Sequence, residues 1–236
     1  MSLAGDFQEG QVLLIDKPLE WTSFDVVNFI RSFLKKMLGI RKLKVGHAGT
    51  LDPLATGLLI VCTGRKTKEI DNYQGMDKVY EGTLILGATT PSYDKETEVD
   101  GLFDISHLDE SLLHKVSATF LGEIEQIPPA FSAIKIKGER AFTLARKNQE
   151  VTLKPRKVNI SRFELLSIRM PEVDFRVECS KGTYIRSLVH DFGRQAGSGA
   201  YLSALRRTGI GGFSIDQAVT LEAFKQQILS SPDLQA

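Results

Sequence analysis

Residues 44–64 read KVGHAGTLDPLATGLLIVCTG: four glycines, one proline, one histidine and one aspartate, running into an unbroken apolar stretch. The run Leu58–Cys62, bounded by Gly57 and Gly64, has the length and continuity of a buried strand. A loop rich in glycine and proline therefore delivers the chain into the core, and the elements on either side decide what kind of sheet receives it.

Upstream, QVLLIDKP predicts a short buried strand over Val12–Ile15, closed by the Lys17-Pro18 turn. TSFDVVNFIRSFLKKML places Val26, Val27, Ile30, Phe33, Leu34 and Met37 at helical spacing, with Ser23 as N-cap and Gly39 as the stop. Downstream, KVYEGTLILG alternates as a strand over Lys78–Leu86, and Ala88–Gly101 is too charged and turn-rich for a core element. A helix starts near Asp109. Pro128-Pro129 breaks any helix, FSAIKIKG alternates like an exposed hairpin strand, and ERAFTLARKN forms a short basic helix. RKVNISRFELLSIRM and EVDFRVECS alternate as a strand pair. TYIRSLVHDFGRQAG is a helix with Gly193 and Gly197 at its end, and TLEAFKQQIL is the last one. Strands and helices mix without regular βαβ alternation, so the fold class is α+β on a mixed, mostly antiparallel sheet.

The chain has 236 residues, 42% hydrophobic and 25% charged, with a net charge of +1. That composition is globular, and it excludes disordered, fibrous and coiled-coil classes. The N-terminus lacks a signal-peptide pattern and no apolar run reaches membrane-spanning length, so a cytoplasmic location is expected. Cys62 and Cys179 each lie within an apolar, strand-like run, as reduced buried thiols do. Basic residues cluster at Arg31–Lys44, Gly64–Lys68, Lys135–Asn148, Lys154–Lys157 and Arg206-Arg207, and acid concentrates between Asp94 and Glu110. Such local basic faces suit either a polyanion such as RNA or ordinary solvated helix faces.

Several chemistries fail on spacing. Gly57 and Gly64 have six residues between them and Arg65 follows, which breaks the phosphate-loop pattern. GSGAYL lacks a third glycine and a preceding strand, so no dinucleotide fingerprint exists. His47, His107, His114 and His190 have no ligand-spaced carboxylate or cysteine, so no metal is expected. There is no Gly-x-Ser-x-Gly elbow, and the quoted loop offers one carboxylate where a glycosidase needs two. Two readings of Asp52 stay open on this basis. Asp-Pro is ordinary turn chemistry, and a carboxylate among Gly46, Gly49 and Gly57 can equally act on a closely approaching ligand. A working carboxylate wants an arginine partner, for which CSKGTYIRSL offers Arg186 with Tyr184 beside it, while Tyr80 offers an aromatic that could stack on a base.

The blocks LLIDKP, VGHAGTLDPLATGLL, KVYEGTLILG, PPAFSAIKIKG, CSKGTYIRSLVHDFG and LSALRRTGIGGFS, in that order, make the chain resemble the TruB family of tRNA pseudouridine-55 synthases along nearly its whole length. The resemblance implies a pseudouridine synthase fold in one catalytic domain over 1–236, with an insertion at 125–157 that covers the RNA and no PUA domain. It implies an isomerase that needs neither cofactor nor metal. The enzyme cleaves the N1–C1′ bond of uridine 55 in the T arm of tRNA, turns the uracil and rejoins it through C5. Asp52 would be the catalytic residue, as nucleophile or as the group driving glycal formation. Tyr80 would stack on the uracil, Arg186 would pair with Asp52, Tyr184 would line the pocket and His47 would fill the stack left by the extruded nucleotide. Extrusion is required because a stacked, paired base cannot be detached and rotated. Lys135, Lys137, Arg140 and Lys147 of the insertion, with Asp94, Arg206 and Arg207, would contribute to RNA binding. A monomer is expected, with tRNA-folding chaperone activity as a possible additional role. The loop GATTPSYDKETEVDG departs from the family pattern Gly-x-x-Thr-Asp-Thr-x-Asp-x-x-Gly, with Asp94 as counterpart of the later aspartate.

Overall fold

The computed structural model describes residues 3–136, 138–147, 149 and 151–231. In chain order the first elements are α1 (Leu3–Glu9), β1 (Val12–Lys17), α2 (Ser23–Met37), β2 (Val45–His47), β3 (Ala55–Thr63), α3 (Ile70–Gly75) and β4 (Lys78–Leu86). Next come β5 (Ala88–Thr89), β6 (Gly101–Leu102), α4 (Glu110–Ala118), β7 (Gly122–Gln126), β8 (Lys135–Ile136), β9 (Glu139–Arg140) and α5 (Ala141–Arg146). The last are β10 (Arg156–Arg169), β11 (Glu172–Cys179), α6 (Ile185–Gln195), β12 (Ala200–Ile210), β13 (Phe213–Ser214) and α7 (Leu221–Leu229). The chain packs as two compact units, one of residues 1–79 with 206–236 and the other of residues 80–205.

In the first unit the strands run β1-β3-β12, with β2 added to β3 and β13 to β12. The β1–β3, β2–β3 and β12–β13 ladders are antiparallel. The apolar run of β3 is buried on both faces. Leu59 and Val61 join Ile15, Ile30, Leu34, Phe224 and Ile228 under α2 and α7, while Leu58, Ile60 and Cys62 join Ala48 and Ile210 on the opposite face. Period-two geometry divides one continuous apolar run between two cores. Each large apolar side chain so buried contributes about 1.5–3 kcal/mol. α2 starts one residue from its expected cap: Thr22 is the N-cap, and its hydroxyl accepts the Asp25 N–H while Asp25 reaches back to Thr22. Ser23 is instead the first helical residue, and its hydroxyl is committed to the Asp52 loop.

In the second unit β4, β11, β10 and β7 are successive neighbours, and the first half of β12 lies beside β4. The β10–β11 and β10–β7 ladders are antiparallel. Phe120, Phe163, Phe175 and Phe192 pack ring against ring beneath α4 and α6. The 125–157 segment leaves the end of β7, forms the small β8–β9 hairpin and α5, and returns at Arg156. Arg146 of α5 pairs with Glu96, so the segment is tied to the loop between β5 and β6.

Besides the short β2, α3, β5, β6, β7 and β13, α1 and β12 lie outside what the periodicity predicts. α1 is polar apart from buried Phe7, and β12 carries polar and charged residues through a strand whose burial does not alternate cleanly. Gly193 sits inside α6 and not at its end. A Cβ there would lie 2.4 Å from Ala200 N, so the glycine lets α6 close onto β12.

Candidate active site

Asp52 lies in the first unit, half-buried, in the loop between β2 and β3. That loop is fastened from several sides. Ala48 N–H donates to Ile60 O at 2.9 Å, and Ala55 N–H donates to Asp52 O at 3.0 Å, closing the turn around Pro53. Ser23 Oγ accepts the Leu51 N–H at 2.8 Å and donates to Leu51 O at 3.2 Å, which locks the loop to the start of α2. Glu20 N–H donates to Pro53 O at 2.8 Å, and Glu20 takes a left-handed φ of 66° to do so.

Two cations support the loop from below. Lys17 is wholly buried, and its Nζ donates to Trp21 O at 2.6 Å, Pro18 O at 2.8 Å and Pro53 O at 3.5 Å. Burial pulls its amine down to about 8; the nearby Asp52 carboxylate opposes that fall and the Arg207 cation adds to it. Arg207 is 1% exposed, and its guanidinium donates to Leu58 O at 2.8 Å and Gly49 O at 3.1 Å. Expected among the RNA-binding residues, Arg207 is therefore a strut inside the protein, with its donors spent on backbone. Gly57 permits the contact: at φ 103° it lies so close to this strand that a Cβ would fall 2.3 Å from Arg207 O. Arg206 faces the other way, half-exposed and forked onto Asp16 at 2.8 and 3.1 Å. His47, on β2, is held below its ordinary pKa by burial first and by the Arg207 cation second.

The second unit carries the other expected site residues. Tyr80 is buried on β4. Tyr184 precedes α6 as its N-cap, its N–H donates to Gln126 Oε1 at 2.8 Å, and Gln126 Nε2 donates back to Tyr184 O at 3.0 Å. The Arg156 guanidinium lies over the Tyr184 ring at 4.3 Å. Arg186 is 4% exposed; Nη1 donates to Ser92 O at 3.1 Å and Nη2 to Phe131 O at 2.9 Å. Its Nε stands 3.6 Å from Asp94 Oδ2. Asp94 is itself 5% exposed, so the RNA contact expected of it is replaced by a buried ion pair. Lys135, Arg140 and Lys147 are exposed on and beside the β8–β9 hairpin and α5, and Lys137 lies outside the described residues.

Reading the sequence missed Lys17, Ser23, Gln126 and Arg156 as parts of the site. Lys17 showed only as a Lys-Pro turn, Ser23 as a helix cap and Arg156 as one of the basic cluster Lys154–Lys157. No group of three or more His, Cys, Asp or Glu that could hold a metal occurs among the described residues. Neither cysteine forms a disulfide, and burial pushes the Cys62 thiol up to about 11. No helix among the described residues is long and apolar enough to cross a membrane.

The fold is that of the pseudouridine synthases. Over 94% of its length the chain superposes on a chain of a Cbf5-Nop10-Gar1 complex with TM-score 0.72 and 32% identity, covering 55% of that chain. It also matches a chain of an H/ACA RNP bound to a substrate RNA containing 2'-deoxyuridine, with TM-score 0.68 and 29% identity, again over little more than half of that chain, 54%. Residues 35–185 match the pattern of the TruB family pseudouridylate synthase N-terminal domain, and residues 186–234 that of the tRNA pseudouridylate synthase B C-terminal domain. The chain belongs to the TruB family. Among its relatives, a protein of Flavobacterium johnsoniae called tRNA pseudouridine synthase B is 52% identical over 94% of this chain and 98% of its own. Proteins of the same name from Bacteroides fragilis and Chloroherpeton thalassium are 52% and 48% identical, over 96% and 93% of their lengths.

Proposed function

We propose that this protein isomerises uridine 55 in the T arm of tRNA to pseudouridine, with Asp52 as the catalytic carboxylate. What supports the reading most is how much buried structure is committed to one half-buried aspartate loop: Lys17, Ser23 and Arg207 each place a donor on its backbone, at Pro53 O, Leu51 O and Gly49 O. Preorganisation of that kind serves a group that must meet a reacting centre in fixed geometry. Relatives about half identical over nearly their whole length carry the corresponding name.

The reaction balances as an isomerisation. The N1–C1′ bond breaks with Asp52 acting at the ribose, the uracil turns, a C5–C1′ bond forms, and the proton lost from C5 is matched by one gained at N1. Tyr80 stacks on the base, Tyr184 lines the pocket, Arg186 supplies the countercharge to Asp52, and His47 fills the place of the extruded nucleotide. Unstacking the target costs a few kcal/mol, repaid by binding. Lys135, Arg140 and Lys147 supply phosphate contacts.

The test uses a tRNA transcript tritiated at uridine C5. The parent protein should release tritium from position 55 and leave pseudouridine there, and Asp52→Asn should release none. A parent that binds the tRNA tightly yet releases no tritium overturns the enzymatic reading in favour of an RNA chaperone. Sedimentation of the protein alone tests the expected monomer.

A further inference from the structure

The buried ion pair of the second unit is loose by itself. Arg186 Nε and Asp94 Oδ2 stand 3.6 Å apart, whereas a charge-assisted N–H···O bond closes to about 2.7–2.9 Å. The loop that carries the aspartate contributes to holding it in register with the guanidinium. Thr90–Thr97 is polar and built from its own turns: Tyr93 N–H donates to Thr90 O at 3.1 Å, Thr90 Oγ1 donates to Asp94 O at 2.7 Å, and Glu96 N–H donates to Asp94 Oδ1 at 2.9 Å. Outside itself the loop is anchored by Leu202 N–H donating to Tyr93 O at 2.9 Å, by Arg186 donating to Ser92 O and by the Glu96–Arg146 pair.

One further contact is made by a ring. Tyr93, forced to a left-handed φ of 62°, lies flat on His190 with centroids 3.9 Å apart and planes 15° apart. His190 sits four residues after Arg186 on α6, one turn along the same face. The consecutive residues Tyr93 and Asp94 thus meet α6 one turn apart, the first at His190 and the second at Arg186. The imidazole suits a stack. Burial and the Arg194 cation hold it below its ordinary pKa against the pull of Asp100, so at neutral pH it is an uncharged aromatic; burial, Asp191 and Asp100 raise the Tyr93 hydroxyl pKa against the Arg194 cation. A left-handed non-glycine residue persists only where its surroundings over-determine it.

We propose that Tyr93 and His190 are positioning residues: their stacked rings hold Asp94 on the Arg186 guanidinium and thereby set the rate of isomerisation, without touching the uridine. The inference rests on the function proposed above, in which Arg186 serves the reaction. Tyr93 directly follows Pro91-Ser92, where the loop departs from the family pattern.

The experiment measures the single-turnover rate and the tRNA dissociation constant side by side. Tyr93→Ala should lower the rate about tenfold or more, as small misplacements near a reacting centre do, and leave the dissociation constant within about twofold. Tyr93→Phe, which keeps the ring face, should restore most of the rate, and so should His190→Phe compared with His190→Ala. The Tyr93→Ala/His190→Ala double variant should be no slower than the slower single variant. In an Asp94→Asn protein, adding Tyr93→Ala should cost no further rate. Thermal unfolding of each variant shows that it is folded; if Tyr93→Ala is not, the His190→Phe and His190→Ala pair carries the same comparison. An unimpaired Tyr93→Ala, a rate loss matched by an equal loss of binding, or additive losses with Asp94→Asn would each overturn the inference. Asp52→Asn in the same assay separates the two readings: a dead Asp52→Asn beside an unimpaired Tyr93→Ala overturns only the stack, and an inactive parent overturns both.

Discussion

Lys17 is a cation with no exposed surface, and its ammonium donates to three backbone carbonyls. Replacing it with methionine keeps the volume and strips those carbonyls of a donor, which should cost about 2–3 kcal/mol in urea unfolding and lower activity through the loosened Pro53 turn. Its pH signature is specific. The amine lets go of its proton at about 8 in the folded protein and in the ordinary lysine range when unfolded. Between those limits the unfolded chain holds the proton and the folded chain does not. The contribution of this group to stability therefore rises with pH above 8, by at most about 1.4 kcal/mol per pH unit, and below 8 it is flat. Urea midpoints of the parent and Lys17→Met, compared at about pH 7, 9 and 10, should diverge in slope only above the folded-state value. Ser23→Ala removes both bonds to Leu51 and should slow single turnover with little effect on tRNA affinity. Asp52 could be suspected from its glycine-rich surroundings, because close backbone approach needs glycine and that need is written in the sequence. Ser23 could not, because a side chain bonded to distant backbone leaves no local pattern, and Lys17, bonded chiefly to Pro18 O and Trp21 O, read only as a turn.

At the scale of elements, the packing of β3 on β12 depends on one position. Gly57→Ala would place a methyl 2.3 Å from Arg207 O at a φ of 103°. Backbone cannot yield there as a flexible side chain could, so the variant should lose several kcal/mol or fail to fold, seen as a collapse of soluble yield or a Tm lower by about 10 °C or more. A milder change tests α2: Thr22→Ala deletes the cap of a helix whose Ser23 holds the Asp52 loop, and should cost about 1 kcal/mol. The strand Lys78–Leu86 and the helix after Asp109 follow their periodicity, since each presents one clear apolar face, and β1 runs two residues past the expected Val12–Ile15. β12 does not. Its charged residues Arg206 and Arg207 go to opposite fates, one forked onto Asp16 and one buried under the loop, and that division hides the alternation by which a strand is recognised.

For the whole molecule, the testable quantity is the salt dependence of RNA binding. Lys135, Arg140 and Lys147 are exposed around the β8–β9 hairpin and α5. Replacing all three with alanine should reduce the slope of log K against log salt by about 2–3, at about 0.7–0.9 for each phosphate no longer neutralised. The single-turnover rate at saturating protein should hold. Arg207→Ala should behave in the opposite way, losing stability without changing the salt slope, because its charge is spent inside.

Composition and the two periodicities were enough to determine an α+β chain, since helix and strand faces are local requirements that residue types record directly, while the glycine-proline loop left Asp52 open between turn chemistry and a working carboxylate. The order of blocks along the chain was enough to indicate the family. Only the tertiary structure decided that Thr22 and not Ser23 caps α2, that Arg207 and Asp94 are internal, and that Arg186 grips Ser92, Phe131 and Asp94. Those are choices among distant partners, made by which backbone carbonyls and charges folding brings within reach of one another.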